Sequence, residues 1–316
     1  MIDVVIPVYK PDKKFDKLLN SLSSQTRQGD RLIMMLTVAD SEGTEWHRLQ
    51  KKAEDIFKKN ASQTAIEVHP IERSDFYHGR TRNRGIAYGK NPFVLCMTQD
   101  AIPADNSLLE RLMEILEMNP EVSQVYARQI TDKKAPEYIS YTQNFNYPSE
   151  IVYKSKNDIE RLGIKTIFCS NVCCMYRRDI FQFLGGFEDR VIFNEDMIFA
   201  RKAIDAGYTI CYNGKAEVIH YHKYSLRQQF KRNFDLAVSQ EMNSEAFEGL
   251  SSTSEGKKMV KTILINLTSE KKYGKACYYV LLSAAKYAGY LMGKNYKHLS
   301  LNTCRRLSYF PTFWDN

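Results

Sequence analysis

Apolar residues along this chain alternate between two spacings. Ile2 to Val8 is a nearly continuous, β-branched apolar run, which predicts a strand covered on both faces. Phe15, Leu18, Leu19 and Leu22 follow at helical spacing and predict one buried face of a helix. The two signals then repeat. Arg31 to Val38 predicts a strand, the stripe Trp46, Leu49, Ala53, Ile56 and Phe57 a helix, and Ala65 to His69 a short strand. A helix around Arg82 to Gly89, a strand over Phe93 to Met97 and a helix from Ser107 to Met118, capped by Asn106, complete the first half. Strands alternating with helices predict an α/β fold with a mostly parallel central sheet and flanking helices.

The second half is less regular. Residues 131–160, with Pro136, Pro148 and many aromatic side chains, predict an excursion or lid, and Thr166 to Tyr176 a returning strand. Gly185-Gly186-Phe187 ends a short helix, while Asn194 can cap a helix from Glu195 to about Ala206 that Gly207 closes. A strand pair, Tyr208–Tyr212 and Glu217–Tyr221, precedes a helix from Ser225 to about Ala246. Ser251 to Gly256 reads as a linker, and Lys258 to Leu291 as one or two helices. The expected division is a catalytic unit over 1–223 and a C-terminal helical region over 224–316.

Composition changes this picture in two places. Hydrophobic residues at 43% and charged residues at 26% fit a soluble globular protein, and the apparent strand at the start, without a basic segment before it, predicts no signal peptide. Seven cysteines, an odd number with no C-x-x-C spacing, argue against a disulfide framework or a zinc knuckle and for a reducing cytoplasm; Cys173 and Cys174 read as packing. Residues 251–316 hold eleven Lys or Arg against three acids, so the whole net charge of +8 lies there. Such a surplus attracts polyanions, either nucleic acid or an anionic membrane. The apolar run Ala276 to Ala285 is bounded by Lys275 and Lys286, well short of the ~20 residues that span a bilayer. Peripheral contact with the inner face of a membrane, and packing on the catalytic unit or on a second copy in a homodimer, both stay open.

Four polar clusters carry the candidate chemistry: His78 to Asn83, Thr98 to Ala101, Asn194 to Asp196 and His220 to His222. Asp100 directly follows a predicted strand, at the edge where open parallel sheets bind ligands. Such a carboxylate can ligate a hard divalent ion, or it can simply cap the turn into Ile102-Pro103. Glu195 and Asp196 open a predicted helix, where acids also stabilise the helix dipole without any catalytic role. His220 and His222 fall two apart on a predicted strand and so share one face.

The succession Val5-Ile6-Pro7-Val8-Tyr9, Asp40-Ser41-Glu42-Gly43-Thr44, Thr81-Arg82-Asn83, Asp100, Gly185-Gly186-Phe187, Glu195-Asp196 and His220 resembles family 2 glycosyltransferases with a GT-A fold, over roughly residues 1–223. The variants around His78 and Thr98, with His220-x-His222 and the helix after Leu226, are similar to bacterial dTDP-rhamnose-dependent rhamnosyltransferases of surface polysaccharide synthesis. The resemblance implies an inverting transfer from dTDP-rhamnose, or from a UDP-sugar as the alternative, to a saccharide or lipid-linked saccharide. It implies Asp196 as catalytic base, with Glu195 and His222 orienting or contacting the acceptor. Pro7, Tyr9, Asp40, Arg82 and Asp100 would bind the nucleotide sugar, and Asp100 and His220 a Mg²⁺ or Mn²⁺ ion. Arg227, Lys231 and Arg232 would add positive charge near the diphosphate. Thr98 stands where the family's D-x-D motif has its first Asp.

Two other classes fit less well. A dinucleotide-dependent oxidoreductase needs a glycine-rich turn after the first strand, and here that turn reads Tyr9-Lys10-Pro11-Asp12-Lys13. A nucleic-acid-binding or scaffold protein explains the basic tail but gives no reason for Asp100, Asp196 and His220, so no nucleic acid is expected as partner.

Overall fold

The computed structural model describes residues 1–39, 43–250 and 253–315, apart from the side chains of Thr253 and Ser254. Its strands are β1 (Ile2–Tyr9), β2 (Arg31–Val38), β3 (Ala65–Glu72), β4 (Phe93–Met97), β5 (Ile102–Pro103), β6 (Val122–Ile130), β7 (Ile151–Lys154), β8 (Cys173–Arg177) and β9 (Thr209–Ile219). They form one sheet in the order β3-β2-β1-β4-β8-β6-β9-β5, with β7 also paired to β9. The helices are α1 (Lys13–Ser23), α2 (Glu45–Lys59), α3 (His78–Tyr88), α4 (Leu108–Met118), α5 (Glu137–Asn146), α6 (Ile159–Leu162), α7 (Arg178–Phe183), α8 (Glu195–Asp205), α9 (Leu226–Met242), α10 (Ser244–Phe247), α11 (Thr253–Ser269), α12 (Tyr273–Lys294) and α13 (Leu301–Leu307).

Strand polarity decides where function can sit. β1, β2, β3 and β4 are mutually parallel, β8 runs against β4 and β6, and β9 runs parallel to β6. The expected parallel sheet is thus interrupted at β8, yet β1–β4, β6 and β9 all run one way. Their carboxyl ends, together with the beginning of β8, meet along one edge. Alternation within β1 sends Val4, Ile6 and Val8 to the core shared with α1, α2 and α4, and Val5 to the core on the opposite face, shared with α8. The expected helical stripes are buried where they should be: Phe15, Leu18, Leu19 and Leu22 on α1, and Leu49, Ala53 and Phe57 on α2.

Several sequence expectations change. α3 starts at His78, four residues before the expected position, so it includes the whole first polar cluster. Ser107 rather than Asn106 occupies the cap of α4, and the Asn106 carbonyl instead accepts from Thr26. The excursion at 131–160 contains α5 and adds β7 to the sheet. The expected strand over Thr166 to Tyr176 is extended only from Cys173, where β8 (Cys173–Arg177) begins, with a 3-10 turn over Gly163–Thr166 before it. The expected strand pair is a single strand, β9, whose turn-like residues 214–216 form a bulge: Asn213 pairs with Ala127 and Glu217 with the next residue, Arg128. His220 and His222 lie beyond the end of β9, not on it. Helix α11 begins inside the expected linker, of which Ser251 and Ser252 lie outside the described residues. All seven cysteines are free, and Cys173 and Cys174 are buried.

Helix α12 packs on α9 at glycines. A Cβ on Gly289 would overlap the carbonyl oxygen of Phe230, and one on Gly293 would overlap that of Phe234, so the two backbones touch. No helix among the described residues is long and apolar enough to cross a membrane. On α12, Val280, Leu281, Tyr287 and Leu291 remain exposed.

The backbone contact predicts the sign of one substitution. Gly→Ala inside a helix gains about 1 kcal/mol of propensity, whereas overpacking a closed contact costs about 1–3 kcal/mol. Gly289→Ala is therefore expected to lower the denaturant midpoint. A rise of the size that propensity alone gives would show that α9 and α12 do not meet at Gly289.

Candidate active site

The common strand edge opens into a cavity of about 810 Å³. Tyr9 at the end of β1, Thr37 on β2 and Arg73 after β3 line one part, and Thr98, Gln99 and Asp100 after β4 line its centre. Because β8 is antiparallel to β4, with Cys173 paired to Met97, its preceding residues Asn171 and Val172 sit beside Thr98, whose amide donates to the Val172 carbonyl at 3.2 Å. Gln129 near the end of β6 and His220 after β9 complete the edge. Four buried polar atoms without a hydrogen-bond partner belong to residues lining this cavity: Thr37 Oγ1, Arg82 Nε, Thr98 Oγ1 and Asn194 Nδ2. Native interiors leave few such atoms, so their concentration here marks the place of a polar ligand.

Asp100, His220 and His222 each offer a ligand atom within 4.8 Å of the others. His222 Nε2 stands 3.3 Å from Asp100 Oδ2 and 3.1 Å from His220 Nε2. Gln129 fixes the tautomer of His220. Its amide nitrogen donates to the Tyr147 hydroxyl at 2.6 Å and to Ser170 Oγ at 3.0 Å, leaving Oε1 to accept from His220 Nδ1–H at 2.9 Å. The His220 Nε2 lone pair then faces Asp100. Burial lowers the pKa of His220 to about 4 and that of His222 in the same direction, so both imidazoles are neutral near pH 7, the form that ligates metal. One carboxylate and two neutral imidazoles fit a divalent cation. Sequence reasoning placed His222 with the acceptor contacts while allowing either histidine to complete a metal site; the structure brings both to Asp100.

The second cluster is built around a buried ion pair. Arg82 Nη1 lies 3.1 Å from Glu195 Oε1 and donates to the His78 carbonyl at 3.0 Å. Both side chains are nearly inaccessible, so Arg82 is turned toward Glu195, with Nε left over at the cavity wall. Asn171 ties the pair to β8: its side-chain amide donates to Glu195 at 3.1 Å and its backbone amide to Asp196 Oδ2 at 2.9 Å. Asn194 precedes the acids with a left-handed backbone (φ 67°) and makes no side-chain cap bond, so it sets the angle of entry into α8 rather than capping it. Burial raises the pKa of Glu195, but the Arg82 guanidinium, His78 and Asn171 outweigh it and hold the carboxyl below its ordinary value. Asp196 feels the Arg82 charge too weakly to offset its surroundings. Burial, followed by the charge of Glu195, pushes it up to about 7.

The remaining expected residues are placed as follows. Tyr9 is clamped by Gln99, which exchanges two hydrogen bonds with its backbone at 2.7 and 2.9 Å. Pro7 is half-buried within β1 and does not line the cavity. Asp40 lies outside the described residues. Arg232 faces the cavity with its guanidinium 4.6 Å from the Tyr224 ring and 5.2 Å from that of Phe193, and among the described residues no ion pair engages it. Tyr309 to Thr312 also line the cavity, and nothing in the local sequence signalled it.

The family model Glycosyl transferase family 2 matches residues 3–185. The chain belongs to glycosyltransferase family 2. It is accordingly a glycosyltransferase. It is 34% identical to the O-antigen chain rhamnosyltransferase WbaN of Salmonella anatum, over 99% of this chain and 95% of that one. Identity to the O-antigen chain rhamnosyltransferase RfbN of Salmonella typhimurium is 35%, over 100% and 96%. Among solved structures, the mannosyltransferase PcManGT of Pyrobaculum calidifontis, in complex with GDP-Man and Mn²⁺, has a TM-score of 0.59 at 13% identity, covering 94% of this chain and 86% of that one. Residues 1–349 of S. aureus TarS with UDP-GlcNAc give 0.53 at 12%, covering 94% and 91%. At these identities the likeness concerns the fold, GT-A.

The buried pair yields a stability prediction. Arg82→Met should cost about 3–5 kcal/mol, since it strands the Glu195 carboxylate, and adding Glu195→Gln should recover part of that loss. A double variant as unstable as the sum of the two singles, measured by denaturant unfolding, would mean that the two side chains act independently.

Proposed function

We propose that this enzyme transfers rhamnose, with inversion, from dTDP-rhamnose to a hydroxyl of a saccharide acceptor in O-antigen-type polysaccharide synthesis. The activity by which the two full-length relatives are named supports the sugar and the pathway class. The single observation that carries the mechanism is that one cavity holds both the Asp100, His220, His222 cluster and a carboxyl poised at about 7, Asp196.

Asp100, His220 and His222 would hold Mg²⁺ or Mn²⁺, which when bound neutralises the charge that grows on the departing diphosphate. Arg232 adds a fixed positive charge to the same wall. Tyr9, Thr37 and Arg73, at the ends of β1–β3, receive the nucleoside end. As the acceptor oxygen bonds to the anomeric carbon and the bond to the diphosphate breaks, Asp196 takes the hydroxyl proton. Its two oxygens accept from the amides of Asn171 and Met197, at 2.9 and 2.8 Å, which fixes the carboxylate while leaving lone pairs for that proton. Glu195, ionised and paired with Arg82, orients its neighbour.

The pH dependence follows with a definite sign. The ionised form of Asp196 is the active one and its pKa is about 7, so turnover at saturating donor should rise about tenfold per pH unit below 7 and level off above it. Asp196→Asn should keep dTDP affinity, lose this profile and reduce turnover by on the order of 10² to 10⁴. Near-full turnover in the folded variant would remove Asp196 as the base. For the metal, Asp100→Ala should weaken dTDP binding strongly with Mn²⁺ and little with chelator; equal losses in calorimetry under both conditions would indicate that Asp100 does not act through an ion.

A further inference from the structure

We propose that Ser308–Thr312 is a binding wall for the donor nucleotide, and that Asp235, more than seventy residues earlier on α9, is the positioning residue that holds it there. The proposal rests on the donor reading above and adds to it an element far from the family's motif region.

The segment is fastened by its backbone. Asp235 Oδ2 accepts from the amide nitrogens of both Tyr309 and Phe310, at 2.8 and 2.9 Å, and Ser308 Oγ accepts from the Phe310 amide at 3.0 Å. One turn back on the preceding residue of α9, Lys231 Nζ donates to the Ser308 carbonyl at 3.1 Å. A carboxylate accepting two backbone amides sets the direction of the chain without specifying side chains. Asp235 is 2% exposed and lines the cavity; burial raises its pKa to about 6 against the pull of the Ser308 hydroxyl and the two amides. The carboxylate thus holds two consecutive amides, and with them the Tyr309 and Phe310 rings, at the cavity wall.

What the segment presents then identifies the ligand side. The Phe310 ring stands edge-on to Phe76, with centroids 6.0 Å apart, and 6.0 Å from His78, both in the stretch after β3 where the nucleoside end is assigned. Tyr309 places its ring 5.5 Å from the Arg232 guanidinium and 6.0 Å from Tyr224. Arg232 is thus held among Phe193, Tyr224 and Tyr309, and among the described residues no carboxylate pairs with it directly, although Asp235 feels its charge, so its guanidinium can meet a diphosphate. The segment therefore spans from the nucleoside end to the diphosphate end of one ligand. Beyond it, Phe313 and Trp314 pack with Tyr77, Ile192 and Phe234, anchoring the far side.

The test is calorimetric titration of dTDP with Mn²⁺ into the full chain. Asp235→Leu removes both acceptors and is expected to weaken binding by at least about tenfold, in line with the loss of two hydrogen bonds to a charged group. Asp235→Asn keeps an oxygen that can accept from both amides and should restore affinity to within about threefold. The double variant Tyr309→Ala, Phe310→Ala leaves the backbone bonds in place, so it answers the question even where Asp235→Leu fails to fold; it should lose dTDP affinity while the acceptor KM stays the same. Wild-type dTDP affinity in this double variant, or in folded Asp235→Leu, overturns the proposal, as does a rise confined to the acceptor KM. Absence of any nucleoside diphosphate binding by the unaltered chain would instead overturn the donor reading itself.

Discussion

The ion pair between Arg82 and Glu195 is the interaction on which the reactive end of the cavity depends. It joins α3 to α8, and through Asn171 it joins both to the start of β8. Two carboxyls adjacent in sequence would ordinarily raise each other's pKa. Here the single guanidinium is committed to one of them, so Glu195 stays ionised and Asp196 carries both the burial penalty and its neighbour's charge. A carboxyl near neutrality therefore follows from burial beside a neighbour that its own ion pair keeps charged. The same contact sets the place of Arg82, which Glu195 and the His78 carbonyl hold while Nε stays at the cavity wall.

Much of this was legible in the sequence because it is local. The strands β1, β2 and β4 and the helices α1, α2 and α8 each announce themselves by periodicity, and Asp100 and Asp196 lie at the ends such elements create. The misreadings share one cause, which is tertiary context acting on a locally ambiguous stretch. Asn213-Gly214-Lys215 has the composition of a turn, but Gly214 sits so close to the backbone of Ser149 and Glu150 that only a bulge without a side chain fits, and β9 continues through it. Asn106 looks like a cap, yet its carbonyl is taken by Thr26, eighty residues away, and Ser107 moves into the cap position.

The return of the chain to the cavity after α13 had no sequence signal, because its cause is a pairing of Asp235 with two backbone amides, and backbone amides carry no residue identity. A reading that divides the chain near residue 223 leaves Arg232, Asp235 and Tyr309 to Thr312 outside the catalytic unit, whereas all of them line the cavity.

The glycines of α12 give that long-range contact its mechanical basis. Arg232 and Asp235 project from α9, whose other side is closed by the backbone contacts at Gly289 and Gly293. Helices in backbone contact cannot slide without opening a void on one side or a clash on the other, so α9 is held in rotation as well as in place. Asp235 then accepts from the Tyr309 and Phe310 amides at one fixed orientation, and Arg232 meets its three aromatic neighbours at another. A small change in the rotation of α9 would move both groups together, which makes the C-terminal helices part of the cavity's geometry even though none of their glycines reaches it.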